Sequence, residues 1–225
     1  MRKRVVLASP CYGARDPYIE KALRGAIMVA AREHDWVGDV SSIRQGWVPG
    51  RNASAAAAIE VPGEVDAVVW VDDDVLLHPQ HIARLLRYDE DFITGVLYQK
   101  LPPHYPLISR WNAAKGGGFS PFETWPPDTI TPADGCGFGI VVTSTALLRK
   151  VLATRPEGGG CFDQSRLPDG RELSEDLSFC KRAKDVGVQL WFDPLVTPDH
   201  QIGPIYATAE NHQRTKNERI AGEPK

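Results

Sequence analysis

An α/β fold around a mostly parallel sheet is what the sequence predicts, and three features predict it. Short apolar runs alternate with stretches of helical period. The strongest run, Ala67-Val68-Val69-Trp70-Val71, is apolar throughout, as a central strand covered on both faces must be. Loop-forming or acidic segments, Ser9-Pro10-Cys11-Tyr12-Gly13 and Asp72-Asp73-Asp74, follow the two clearest strands.

Taken in order, Val5-Val6-Leu7-Ala8 reads as a buried strand, and Ile19, Leu23, Ala26, Ile27 and Ala30 recur at helical spacing behind it. Residues 36–43 predict a second strand. Arg51-Asn52 opens a second helix, carried by the helix formers Ala53 and Ala55 to Ala58 and ended by Pro62-Gly63. Residues 66–72 are the central strand, 80–87 a helix with Ile82, Leu85 and Leu86 on one face, and 92–98 another strand. From 99 to 132 the periodicity vanishes among prolines, glycines and the aromatics Trp111, Phe119, Phe122 and Trp125, the mark of an irregular binding loop. Residues 137–142 form a strand, followed by a helix through Leu147, Leu148, Val151 and Leu152 and a flexible Gly158-Gly159-Gly160 loop. Ser174 caps a helix with Phe179, Ala183 and Val186 inward, and 188–192 is a late strand. One domain over 1–206 is expected, with a polar tail over 207–225.

The chain has 26 Lys and Arg against 29 Asp and Glu, a net charge of −3, which argues mildly against holding duplex nucleic acid by phosphate neutralisation. No apolar run reaches the ~18 residues of a membrane span. The run after the basic start is shorter than the roughly 7–15 residues of a signal-peptide core. A soluble, cytoplasmic protein without a membrane partner is therefore expected. Cys11, Cys136, Cys161 and Cys180 form no C-x-x-C pair and read as free thiols.

Three groups carry candidate chemistry. Asp72 and Asp74, two apart in extended backbone, share a face, and at the carboxyl end of a buried strand they form a hard-oxygen site for Mg²⁺ or Mn²⁺. An acidic turn explains the same residues without a metal. Glu175-Asp176 opens a helix, where the dipole favours acids whatever their function and is expected to keep Asp176 ionised, ready to act as a general base. His200 is the third, and a packed histidine is its plainer reading. His78 and His81 lack a third soft ligand, which disfavours zinc.

In this order and spacing the pieces resemble the inverting, nucleotide-sugar-dependent glycosyltransferases of the GT-A fold, family-two type. The matching stretches are Val5 to Pro10, Arg51-Asn52-Ala53, Val69 to Asp74, Gly135-Cys136-Gly137-Phe138-Gly139, Ser174 to Cys180, and Trp191 through His200. The resemblance implies a three-layer α/β/α sandwich and a divalent cofactor, Mn²⁺ or Mg²⁺. It implies a nucleoside-binding edge at Ser9, Pro10, Cys11 and Tyr12, with Arg51 approaching the nucleotide, Asp72 on the ribose and Asp73 beside it. Asp74 and His200 are implied as metal ligands, Asp176 as catalytic base with Glu175 second, and Gly137, Phe138 and Gly139 as the wall of the sugar pocket. The Gln201 to Pro204 stretch lacks the Arg-Trp pair of the polymerising members, so a single transfer is expected rather than processive synthesis.

The resemblance implies a hydroxyl compound as acceptor, with a saccharide slightly favoured. Trp111 and Trp125, with Phe119 and Phe122, suit either a sugar ring or a base, and Lys100, His104, Arg110 and Lys115 make their segment locally basic. A phage-type enzyme acting on hydroxymethylated bases in DNA is thus the first alternative. A two-metal nuclease using Asp72, Asp74 and Asp176, and a non-catalytic nucleotide-sugar-binding module, are the others.

Overall fold

The computed structural model describes residues 1–213 except 12, 14, 114–116, 203, 204, 209 and 211, with only the backbone of 205–207. Tyr12, Lys115, Pro204 and the tail beyond 213 lie outside the described residues, so the expectations placed on them do too.

Eighteen elements follow one another: β1 (Arg4–Ala8), α1 (Pro17–Ala30), β2 (Asp35–Asp39), α2 (Trp47–Glu60), β3 (Ala67–Val71), β4 (Val75–Leu76), α3 (His81–Leu86), β5 (Phe92–Gly95), β6 (Ile108–Trp111), β7 (Phe119–Pro121), β8 (Thr131–Ala133), β9 (Gly135–Cys136), β10 (Ile140–Ser144), α4 (Thr145–Ala153), α5 (Glu175–Asp185), β11 (Leu190–Asp193), β12 (Asp199–Ile202) and β13 (Ile205–Ala207). Seven form the central sheet in the order β2-β1-β3-β10-β5-β11-β8. The neighbours β2, β1 and β3 run parallel, as do β5 and β11; β10 and β8 run against them.

Period-two alternation divides the core. Val5, Leu7, Ala67, Val69 and Val71 face a layer containing Leu23, Ala26, Ile82 and Leu85 of α1 and α3. Val6, Ala8, Val68 and Trp70 face Ala55, Ala58, Leu147, Leu148, Phe179 and Ala183 of α2, α4 and α5. This is the three-layer α/β/α sandwich with a mostly parallel sheet that the GT-A resemblance implies. Trp70, fully buried, donates its indole N–H to Thr143 Oγ1 at 2.9 Å, so the large ring enters the core without an orphaned donor.

Helix starts follow local chemistry. Asp16 accepts from the Tyr18 N–H at 2.7 Å with Pro17 at the first helical position, and Ser144 and Ser174 accept from Leu147 and Leu177.

Four expectations are corrected. The second strand stops at Asp39, and α2 begins at Trp47, four residues before Arg51. The segment 99–132 is not irregular throughout: β6, β7 and β9 form a small antiparallel sheet, and β8 closes the main one. The Gly158–Gly160 loop is pinned, because Asp163 accepts from the Gly160 N–H at 2.8 Å and from Asn52 Nδ2 at 2.8 Å.

Candidate active site

Two cross-sheet pairings assemble the candidate site. Asp72 leaves the end of β3, its N–H donating to Gly139 O at 3.2 Å, and Asp73 and Asp74 turn the chain into β4. The triplet is therefore a turn, not extended backbone, and its three side chains take separate partners. β12 runs antiparallel to β4 with His200 opposite Val75, and the Gln201 N–H donates to Asp74 O at 2.9 Å. That register sets His200 beside Asp74. The resemblance implies that neighbourhood, while no periodicity marked the pairing itself, since β4 spans only two residues.

Arg51 is the centre of the second group. It is fully buried, stacked 5.2 Å from the ring centroid of Phe138 and 5.9 Å from that of Phe162. Its Nη2 donates to both Asp72 oxygens, at 3.0 and 3.3 Å. Its Nε lies 3.2 Å from Asp176 Oδ1 and 3.8 Å from Glu175 Oε1. One guanidinium thus joins the triplet to the Glu-Asp pair. Burial alone would drive Arg51 toward neutrality, but Asp176, Asp72 and Glu175 together hold it firmly charged.

The two ends of this constellation have opposite electrostatics. Burial raises the Asp176 carboxyl to about 7; Arg51 opposes this, while Glu175 and Asp72 add to it. The expectation that the helix dipole keeps Asp176 low is therefore overturned by desolvation and two neighbouring acids. Burial also raises Asp72, against the pull of Arg51. Burial works against ionising Asp74 too, yet His200 and Lys100 beside it hold its carboxyl at about 2. Lys100 pairs with Asp74 Oδ2, a partnership the sequence reading did not assign.

His200 presents a defined nitrogen. Its Nδ1 lies 2.8 Å from Tyr98 O, a bond in which only the ring can donate, so Nε2 faces Asp74 Oδ1 across 3.4 Å. Asp74 Oδ1 is buried with no ordinary hydrogen bond. An oxygen and an imidazole nitrogen at that spacing are the two described atoms here that could hold one small divalent ion. Among the described residues no three His, Cys, Asp or Glu side chains converge as a complete metal cage.

The chain is similar in fold to A197 from STIV. The two align with a TM-score of 0.55 at 16% identity, over 94% of this chain and 92% of that one, and at such identity the likeness concerns the fold alone. A weaker similarity, TM-score 0.49 at 10% identity, relates 98% of this chain to 48% of GalNAc-T7, a structure with UDP, GalNAc and Mn²⁺. This chain therefore spans about half of that one. No family profile matches the sequence, and no curated protein matches it.

The remaining expected site residues divide. Ser9 is buried, donates from Oγ to Val71 O at 2.6 Å and accepts from Arg15, a neighbour the sequence reading missed. Pro10 is buried beside it, and the Cys11 thiol is pushed up by burial and by Asp73. Gly137, Phe138 and Gly139 do not leave space for a sugar. A Cβ at Gly139 would collide with Leu97, one at Gly137 would stand 3.2 Å from Leu107, and Phe138 is a core ring among Trp70, Phe92, Phe162 and Phe179. The stretch meets the site through Gly139 O, the Phe138 ring against Arg51 and the Phe138 N–H, which donates to Asp176 Oδ2 at 3.2 Å. Trp125 packs edge-on against Phe192 and Phe122, away from the acids in every described contact.

The described residues of the locally basic segment do not form a basic face. Lys100 turns to Asp74, His104 is buried against Gln99 O, and Arg110 lies 4.2 Å over the Phe122 ring. The nuclease arrangement also fails: Asp72 and Asp176 face a guanidinium, so they do not join Asp74 around paired ions. No helix is long and apolar enough among the described residues to cross a membrane.

Proposed function

We propose that the protein is an inverting glycosyltransferase that moves a sugar from a nucleoside-diphosphate donor to a hydroxyl acceptor, here a saccharide. One observation carries this reading: buried Arg51 ties Asp72 of the acid triplet to the Glu-Asp pair, so a site for an anionic leaving group and a site for a base lie on one connected cluster.

The chemistry follows from the two ends. A divalent ion bound by Asp74 Oδ1 and His200 Nε2, when present, supplies a Lewis acid for a leaving diphosphate. Lys100 adds a fixed positive charge beside Asp74. Asp176 receives the proton of the acceptor hydroxyl; a carboxyl titrating near 7 combines a usable ionised fraction with real basicity. The Phe138 N–H steadies Oδ2, leaving Oδ1 as the atom without a hydrogen bond. Arg51 stays charged while that proton moves, so the proton's arrival on Asp176 reduces the surplus negative charge of the buried group by one. With no nucleophilic side chain needed on the sugar's far face, direct attack by the acceptor inverts the anomeric carbon.

Crystals soaked with Mn²⁺ and a mixture of nucleoside diphosphates test the reading. Diphosphate density next to Asp74, with the metal between it and His200, is expected. Density confined to another surface, or none at saturating ligand, overturns it.

A further inference from the structure

A concave site lies apart from the acid cluster, between the small antiparallel sheet and the C-terminal half of α5. It is a cavity of about 420 Å³ lined by Trp111, Phe119, Asp134, Lys181, Lys184 and Asp185. Trp111 and Phe119, at the paired ends of β6 and β7, meet edge to face at 5.1 Å and 82°, and both stay half-buried. Half-buried rings in a hollow, unlike the sealed cluster around Phe138, offer apolar faces to a ligand.

The platform is built rather than incidental. Asp134 Oδ2 accepts from the Trp111 N–H at 2.8 Å, and its other oxygen pairs with Lys184. Burial would raise the Asp134 carboxyl, but Lys184 and the Trp111 N–H hold it below its ordinary value, so it stays an acceptor. Gly117, at φ +81°, brings the backbone against the Trp111 ring, where a Cβ would stand 3.0 Å away, and Arg171 donates to Gly117 O at 2.6 Å.

Charge decides the ligand class. The four ionic groups of the wall pair off as Asp134 with Lys184 and Asp185 with Lys181, so the lining carries no net charge. A strand of nucleic acid needs uncompensated cations for its phosphates, and the described lining residues offer none. A pyranose needs an aromatic face for its C–H side and mixed donors and acceptors for its hydroxyls, and both are here.

Position gives the site its relation to the acids. A Cβ on Gly135 would stand 2.7 Å from Phe119 and 2.8 Å from Leu177, so Phe119 closes on the residue next to Asp176. Leu177, Lys181 and Lys184 share one face of α5, and Lys184 lies ~10 Å along the axis from Leu177. We infer that the Trp111–Phe119 hollow is a binding subsite for a neutral oligosaccharide, holding a sugar unit distant from the reacting one. That this saccharide is the acceptor rests on the transferase reading; its binding does not.

The test is saturation-transfer NMR on the full chain without donor. The probes are neutral oligosaccharides of two to four hexose or N-acetylhexosamine units and a single-stranded oligonucleotide containing 5-hydroxymethylcytosine. Binding of at least one oligosaccharide is expected, weakened about tenfold or more in Trp111→Ala, largely kept in Trp111→Phe, and weakened severalfold in the rim variant Lys181→Ala, which reads the site even if Trp111→Ala fails to fold. No binding across the panel, binding indifferent to Trp111→Ala and Lys181→Ala, or oligonucleotide binding that depends on Trp111 overturns the inference. Mn²⁺-dependent binding of nucleoside diphosphate is measured on the same samples. Its loss with saccharide binding intact removes the transferase reading alone; its presence without saccharide binding removes the subsite alone.

Discussion

Arg51 Nε lies 3.2 Å from Asp176 Oδ1, and both atoms are buried without any hydrogen bond of ordinary geometry. The attraction between them is Coulombic contact held in reserve by packing: Phe138 and Phe162 flank the guanidinium, and Asp72 occupies its opposite end. Glu175, Asp176 and Asp72 share this single cation, so the cluster carries surplus negative charge. That surplus, with burial, sets the proton affinity of Asp176.

Activity should therefore rise with pH through about 7, because a base must be ionised before it accepts a proton. A kcat/KM profile with its acidic limb near 7 is expected; a limb in the ordinary carboxylate range would place the base elsewhere.

Stability should respond in the opposite sense. The folded Asp176 carboxyl titrates near 7 and the unfolded one near 3.8, so the folded state binds more protons between these values and this group's contribution is lost as pH rises across that window. Denaturant unfolding of Asp176→Asn against the native chain isolates the effect: the variant should gain relative stability from pH 5 to pH 8. A constant difference would contradict the assigned environment.

Asp176→Asn should also leave nucleoside-diphosphate affinity intact while lowering transfer by about 10²–10⁴-fold. Calorimetric binding and turnover, measured together, separate the two roles. Near-normal turnover moves the base to Glu175.

Asp74→Ala should abolish the Mn²⁺ dependence of donor binding, since the proposed metal site consists of Asp74 Oδ1 and His200 Nε2, 3.4 Å apart. Lys100→Ala should instead tighten Mn²⁺ binding, by removing the cation that now neutralises Asp74. Manganese titration followed by electron paramagnetic resonance distinguishes these outcomes.

Away from the site, Asp193 anchors α3 to the end of β11. Fully buried, it accepts from Arg84 Nε at 2.5 Å, Tyr88 Oη at 2.8 Å and the Leu195 N–H at 2.9 Å. Asp193→Ala leaves all three donors unpaired and should cost about 3 kcal/mol in denaturant unfolding.

The main sheet was readable because apolar alternation is a local signal: Val5 to Ala8 and Ala67 to Val71 announce both faces of the core. The acid positions were readable too, since strand ends and helix starts fix where Asp72, Asp74 and Asp176 emerge. Their partnerships were not. Arg51 reaches Asp72 and Asp176 across widely separated chain segments, and Lys100 finds Asp74 through a loop with no periodicity. Glycine misled for a related reason, as the absent side chains of Gly137 and Gly139 accommodate Leu107 and Leu97 rather than a ligand. Only three-dimensional packing tells those uses apart.

The most direct measurement is release of nucleoside diphosphate from a panel of UDP-, GDP- and TDP-sugars with and without Mn²⁺. Slow, Mn²⁺-stimulated release from at least one donor, lost in Asp74→Ala, is the predicted result. No release and no metal-dependent binding across the panel would contradict the proposed coupling of a diphosphate site to a base through Arg51.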